Sequence, residues 1–195
     1  MHRLEIRPVA PGRDSGPFIR FPWKVYKGDP HWVPPLLRER EEFFDPARNP
    51  YFELAEIQLW VALQDGVVVG TISAQIDHAY QEVDPGTGFF GFFEFIDDAN
   101  VARTLLETAT NWLRERGMKR AQGPFNFNTN HECGLLVDGF DSDPLVLMTW
   151  NPERYPACYE AIGLTKVKDL LAYWLVPGPI PEQIQRIAEW VKQRY

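Results

Sequence analysis

The sequence predicts an α/β chain of the α+β kind: a mixed, mostly antiparallel sheet flanked by helices. Three observations carry that expectation. Asp65-Gly66 lies between two β-rich runs, residues 57–63 and 67–76, and is a strong two-residue hairpin signal. Residues 89–96 form a bulky apolar run, Phe89, Phe90, Phe92, Phe93, Phe95 and Ile96, interrupted by the acid Glu94, which reads as a buried strand. Asp97 and Asp98 then offer N-cap side chains, and Val101, Leu105, Leu106, Ala109, Trp112 and Leu113 recur at helical spacing until Gly117. A second strand, 118–124, follows at once. A strand–helix–strand unit of this kind places its two strands parallel on a right-handed crossover. Ligands of such sheets sit beyond the carboxyl ends of the strands, which puts Glu94, Phe95, Ile96 and the segment after Gly123 around any site.

The remaining elements follow in order. Residues 4–9 alternate and form a short edge strand that Pro8 helps to end. Residues 14–27 are helical around Phe18, Ile19, Trp23, Val25 and Tyr26, with a break or kink at Pro22. A stiff proline-rich loop, 29–35, leads to a second helix at 36–44, where Arg38 and Glu42 stand at i,i+4. Trp23, Tyr26 and Trp32 fit either a lid over a ligand or caps on the sheet. Between the hairpin and the central strand, 78–87 is a polar loop, and Gly70 marks a bulge in the return strand. Residues 125–150 are irregular, with Asn126, Asn128 and Asn130 at alternate positions. These suit a binding loop on a rigid frame or, equally, side chains that satisfy turn backbone. A short helix at 152–162 ends at Gly163. Residues 164–176 read as a strand, Pro177-Gly178-Pro179 breaks it, and 181–195 form a last amphipathic helix. Its apolar stripe, Ile184, Ile187 and Val191, should be buried against another domain, another subunit or this sheet, because a lone helix of that length is marginal in water. The helix has no C-cap, so either it frays there or the chain is a piece of a longer polypeptide, the reading preferred, with a homodimer or a missing C-terminal domain as its partner.

Composition excludes several function classes. A chain of 195 residues can bury a real core. Aromatic content is 14%, and the aromatics cluster, which favours a pocket or groove. A net charge of −7 without a basic run argues against nucleic acid. No apolar run reaches the length of a membrane span. The first residues lack the apolar segment of a signal peptide and read as a strand. Cys133 and Cys158 make no metal pattern and are expected as reduced thiols in a cytoplasmic protein. His131-Glu132-Cys133 places three ligand types in a row, but adjacent residues rarely converge on one ion, and no metal is expected.

The order β-α-α-β-β-β-α-β-α-β and the segment Tyr159-Glu160-Ala161-Ile162-Gly163-Leu164 resemble the GNAT acyltransferase superfamily, whose fourth helix ends in Tyr-Glu-x-x-Gly-Phe. Leu164 replaces the usual phenylalanine. The runs FPW, DPHWVPPL, FFGFFE, CGLLVDGF and KDLLAYW also resemble a group of bacterial GNAT-like proteins of largely unassigned function. The likeness covers roughly 4–176, leaving 177–195 as a linker and helix. It implies the acyl-CoA N-acyltransferase fold, with the central strand splayed from its parallel neighbour and the pantetheine arm of acyl-CoA in the gap. It implies Tyr159 as the acid toward the leaving thiolate. Phe95, Ile96, Asp97, Asp98 and Asn126 then fall at the coenzyme, and Trp23, Tyr26, Trp32, Asn128 and Asn130 at the substrate. Glu94 becomes a candidate base for the amine acceptor, or a structural acid satisfied by a neighbouring donor. A carboxylate among phenylalanines has a raised pKa, because desolvation disfavours its charge.

The phosphate loop departs from the resemblance. The family grips pyrophosphate with a glycine-rich loop at the helix start, where backbone N–H groups and the helix dipole suit an anion. Here the stretch is Ile96-Asp97-Asp98-Ala99-Asn100-Val101-Ala102, without glycine and with two negative charges where phosphates would lie. Two functions are therefore carried forward. One is an N-acyltransferase moving an acyl group from acyl-CoA, or another acyl thioester, to an amine. The other is a non-catalytic GNAT-like domain that has lost the coenzyme site. A hydrolase is disfavoured, because no Gly-x-Ser-x-Gly elbow is present.

Overall fold

Asp65 and Gly66 take φ of 51° and 81°, the positive values that a tight hairpin turn between twisted strands requires. They join β2 (Ala55–Gln64) to β3 (Val67–Asp77) in a computed structural model that describes residues 3–176 and 178–194. The sheet has five strands in the order β1-β2-β3-β4-β5, where β1 is Leu4–Val9, β4 is Thr87–Phe95 and β5 is Arg120–Gln122. The first three pairings are antiparallel. The last, between β4 and β5, is parallel, with Thr87 opposite Arg120. The helix between β4 and β5 supplies the crossover and runs Ala99–Glu115.

In order, the helices are α1 (Gly16–Arg20), α2 (Pro22–Val25), α3 (Leu37–Phe43), α4 (Tyr51–Leu54), α5 (Tyr80–Val83), α6 (Ala99–Glu115), α7 (Tyr155–Ala161) and α8 (Glu182–Arg194). The break between α1 and α2 falls at Phe21, just before Pro22. Asp98 caps α6, its carboxylate accepting from Asn100 N at 2.8 Å, and Gly117 follows at a φ of 83°.

Both faces of the sheet are covered, which is why β2 is apolar at successive positions. Trp60 and Ala62 enter one core with Ile72, Phe90, Leu105 and Leu113, under α6. Leu59, Val61 and Leu63 point the other way, onto Phe18, Phe44 and Phe127. Gly70 faces α6 at close range: a Cβ there would lie 2.6 Å from Leu105 Cδ1. The β2–β3 register shifts beside it, between Ala62 and Leu63.

The chain divides into two compact units after Thr165. In the second, α8 forms as the periodicity predicts. Ile184, Ile187 and Val191 are exposed on it. The strand expected at 164–176 is absent: these residues take no regular structure, and most are exposed. An extended segment becomes a strand only when another strand satisfies its backbone groups, and none of the described residues pairs with it. Similarly, β5 keeps three residues of the seven expected, and Pro124, with no N–H to give to the ladder, stands beyond its C-terminal end.

Candidate functional site

β4 is kinked where it meets the site. Phe92 has a φ of 44°, and the register with β3 shifts between Thr71 and Ser73, so β4 carries a bulge there. Thr71 Oγ1 donates to the Phe92 carbonyl at 2.9 Å and Phe92 N donates to Asn126 Oδ1 at 2.8 Å. Before the bulge the irregular segment lies tight against β4, with Phe125 N donating to Phe90 O at 2.8 Å. Gly91 permits that approach, since a Cβ would stand 1.7 Å from the Phe125 carbonyl oxygen. Buried Gln75 anchors the same segment by donating to the carbonyls of Phe125 and Phe127.

Beyond the bulge, the edge of β4 turned away from β3 has lost β5 and meets α7 instead. Phe95 N donates to the Tyr155 hydroxyl at 2.9 Å, and Arg154 Nη2 donates to Phe95 O at 2.8 Å. Tyr155 stacks on Phe95 with ring centroids 4.3 Å apart.

Glu94 stands between two tyrosines. The Tyr26 hydroxyl donates to Oε1 and the Tyr155 hydroxyl to Oε2, each at 2.7 Å. Burial among phenylalanines raises the carboxyl to about 7, although the two hydroxyls and the Arg154 charge pull the other way. The tyrosines respond in kind: burial and the Glu94 charge push both Tyr26 and Tyr155 upward, so both stay protonated at neutral pH.

A cavity of about 380 Å³ opens over Glu94. Trp23, Tyr26 and Trp32 line one side, Tyr26 and Trp32 stacked at 4.9 Å and Trp23 edge-on to Trp32 at 5.3 Å. The 144–150 segment lines another, tied down where Trp150 Nε1 donates to Asp29 Oδ2 at 2.9 Å. The arrangement offers a proton acceptor with a near-neutral pKa at the foot of a mostly apolar chamber, which suits deprotonation of a bound amine.

The expected site residues are distributed unevenly. Glu94, Tyr26, Trp23, Trp32 and Asn126 meet at the cavity, and Phe95 lies just behind it. Tyr159 is buried against Phe93 and Phe95, and its hydroxyl makes no hydrogen bond to a described residue. Burial and the Glu94 charge raise its pKa. Asp98 is committed to the α6 cap, and Asp97 is exposed with Arg154 Nε at 3.4 Å. Asn128 and Asn130 do not line the cavity. Asn128 Oδ1 instead accepts from Asn130 N at 2.9 Å within a turn. Tyr155, Arg154 and Trp150 were not anticipated; the one available signal was Tyr155, a helical turn ahead of Tyr159. Among the described residues no three His, Cys, Asp or Glu side chains converge as metal ligands, and no helix is long and apolar enough to cross a membrane.

No family model matches the chain. It is 41% identical over 186 residues, 94% of its length, to the bacterial ceramide synthase of Caulobacter vibrioides. It is 40% identical over 171 residues to Protein YghO of Escherichia coli. It spans about half of each, 48% and 44%. Among solved structures it resembles an aminoglycoside acetyltransferase from an uncultured soil metagenomic sample, in complex with sisomicin (TM-score 0.54, 11% identity, 90% of this chain and 97% of that one). It also resembles a tandem GNAT protein from the clavulanic acid biosynthesis pathway (0.56, 16%, 83% and 43%). A third is a predicted acetyltransferase from Clostridium acetobutylicum with acetyl-CoA (0.53, 14%, 88% and 96%). The chain therefore shares the fold of these structures, the acyl-CoA N-acyltransferase fold that the Tyr159 motif and element order led one to expect.

Proposed function

We propose that this GNAT-fold chain contributes the acceptor and proton-transfer site of an N-acyltransferase that moves an acyl group from an acyl thioester, such as acyl-CoA, to a long-chain amine. The observation that carries this reading is Glu94, held by two tyrosine hydroxyls at the foot of an aromatic cavity with its carboxyl raised to about 7. The relative named as a ceramide synthase supports the choice of acceptor, because a ceramide is an amide formed on a long-chain amine. The GNAT neighbour carrying acetyl-CoA supports a thioester donor.

In the proposed reaction Glu94 takes a proton from the acceptor ammonium, directly or through one water, and the free amine attacks the thioester carbonyl. Glu94 passes that first proton to water, the C–S bond breaks as the amide forms, and the nitrogen loses its second proton to the freed carboxylate. The leaving thiolate takes a proton from a tyrosine. A phenol is suited to that transfer, because its ordinary pKa is close to that of a thiol. By resemblance that tyrosine is Tyr159.

A second reading, a binding domain without chemistry, draws on specific contacts. The Phe95 N–H and C=O at the open edge of β4 are already satisfied by Tyr155 and Arg154. The first turn of α6 is capped by Asp98, with Asp97 beside it. The test is thiol release from thioesters of graded chain length, with a panel of amines and the full-length polypeptide. Turnover that Glu94→Gln lowers by roughly 10²-fold or more supports the transferase. Binding of amines with no turnover on any thioester favours the binding domain.

A further inference from the structure

Glu94 is joined in the cavity lining by a second set of charged side chains. Arg40 on α3 reaches the cavity wall, and Nη2 meets Glu132 Oε1 at 2.5 Å. The two side chains are only 16% and 22% exposed. An ion pair this withdrawn from water is weak evidence for stability, since apolar residues in its place are often no worse. Its neighbours in the wall, Phe44, Phe92 and Phe18, show that an apolar solution was available.

The pair is not self-contained. A guanidinium carries five N–H donors, and among the described residues Arg40 spends only an Nη2 donor, on Glu132. Its other nitrogens are not sealed away, because among the described residues the one fully buried side-chain polar atom lacking a partner is His131 Nδ1. The spare donors therefore remain open to a ligand. Glu132 is held below the usual carboxylate range: burial pushes its carboxyl up, but Arg40, a backbone N–H and the Asn126 side chain together bring it down.

Thr71 and Asn126 also line the cavity, both fixed to the backbone of Phe92. Phe92, at the bulge, and Glu94 are two residues apart on β4, and both line the cavity. Asn126 lies at the level of Phe92, with its side chain beside Glu132.

We propose that Arg40 and Glu132 form a subsite that reads a hydroxyl group on the acceptor amine, several atoms from the nitrogen that Glu94 receives. A hydroxyl both accepts from the guanidinium and donates to the carboxylate, so it suits the pair as a unit. An anionic group would meet Arg40 already neutralised and Glu132 repelling it. The placement of the nitrogen rests on the acyl-transfer reading; the subsite itself is tested by binding alone.

The experiment is calorimetry on the purified protein with decylamine and with decylamines bearing a hydroxyl two to five carbons from nitrogen. At least one hydroxylated isomer is expected to bind about tenfold tighter or more, since a site built to bond a hydroxyl discriminates against the analogue lacking it. Arg40→Met with Glu132→Met removes both charges together and should bind all the compounds alike. A flat series in the unmodified protein overturns the proposal, whether or not the double variant folds. So does a preference that survives the double substitution, or a failure to bind any amine. Selective binding without acyl transfer leaves the subsite standing and removes the transferase. Acyl transfer without selectivity does the reverse.

Discussion

Tyr26→Phe isolates what sets the Glu94 titration. The Tyr26 hydroxyl has one proton and two acceptors, Glu94 Oε1 at 2.7 Å and Trp150 O at 3.1 Å. With Glu94 ionised, the proton belongs on the carboxylate. With Glu94 protonated, it can turn to the carbonyl. The tyrosine therefore favours the charged carboxylate by less than a full charge-assisted bond, which is worth about 1.5–3 kcal/mol. At 1.36 kcal/mol per pKa unit, the low end of that range is about one unit. Removing the hydroxyl should raise the Glu94 midpoint from about 7 toward 8. The assay is a carboxyl 13C titration by NMR, with Glu94→Gln identifying the resonance, and it needs no turnover. A midpoint near 4.5 in the unmodified protein would refute desolvation as the dominant cause. A midpoint that stays or falls in Tyr26→Phe would refute the hydroxyl's part.

The same shift has a stability consequence. Because folding raises the Glu94 pKa from 4.5 to about 7, the folded state favours the proton. That contribution is complete below pH 4.5 and is lost as pH rises through 7, at most roughly 3 kcal/mol since the cavity admits water. Denaturant titrations at pH 5 and pH 8 should differ less in Glu94→Gln than in the unmodified protein; equal differences would show that Glu94 is not the group responsible. Gly91→Ala forces a Cβ onto the Phe125 carbonyl, so thermal unfolding should register a loss of at least about 3 kcal/mol; a neutral change would mean the 125–127 segment is not held as described. Tyr159→Phe should cost about 1 kcal/mol or less in stability but roughly 10²-fold in turnover, and unchanged turnover would make that ring core alone. Asp97→Gly, which leaves the Asp98 cap intact, should strengthen coenzyme A binding about fivefold at low salt, the factor for about 1 kcal/mol of repulsion relieved. Calorimetry giving equal or weaker binding would remove the repulsion argument.

By itself the sequence determined the local and adjacent features. Asp65-Gly66 specified the hairpin because both positions require positive φ, and few residue pairs tolerate that. The period of Val101 to Leu113 specified α6, and the short link to the next strand left a parallel pairing as the sound option. Glu94 was legible because an acid inside a phenylalanine run contradicts its surroundings. Only the tertiary structure decided what that acid touches. Tyr26 lies 68 residues before Glu94 and Tyr155 lies 61 after it, and no periodicity links such distances. The bulge at Phe92 selects which β4 groups face α7, and a bulge leaves little mark in composition. Nothing in the sequence links Arg40 to Glu132, which folding brings together across 92 residues. The segment 164–176 marks the opposite limit. Its β-forming residues state a preference, but a strand exists only where a neighbour accepts its hydrogen bonds, and the sequence of one segment cannot supply that neighbour.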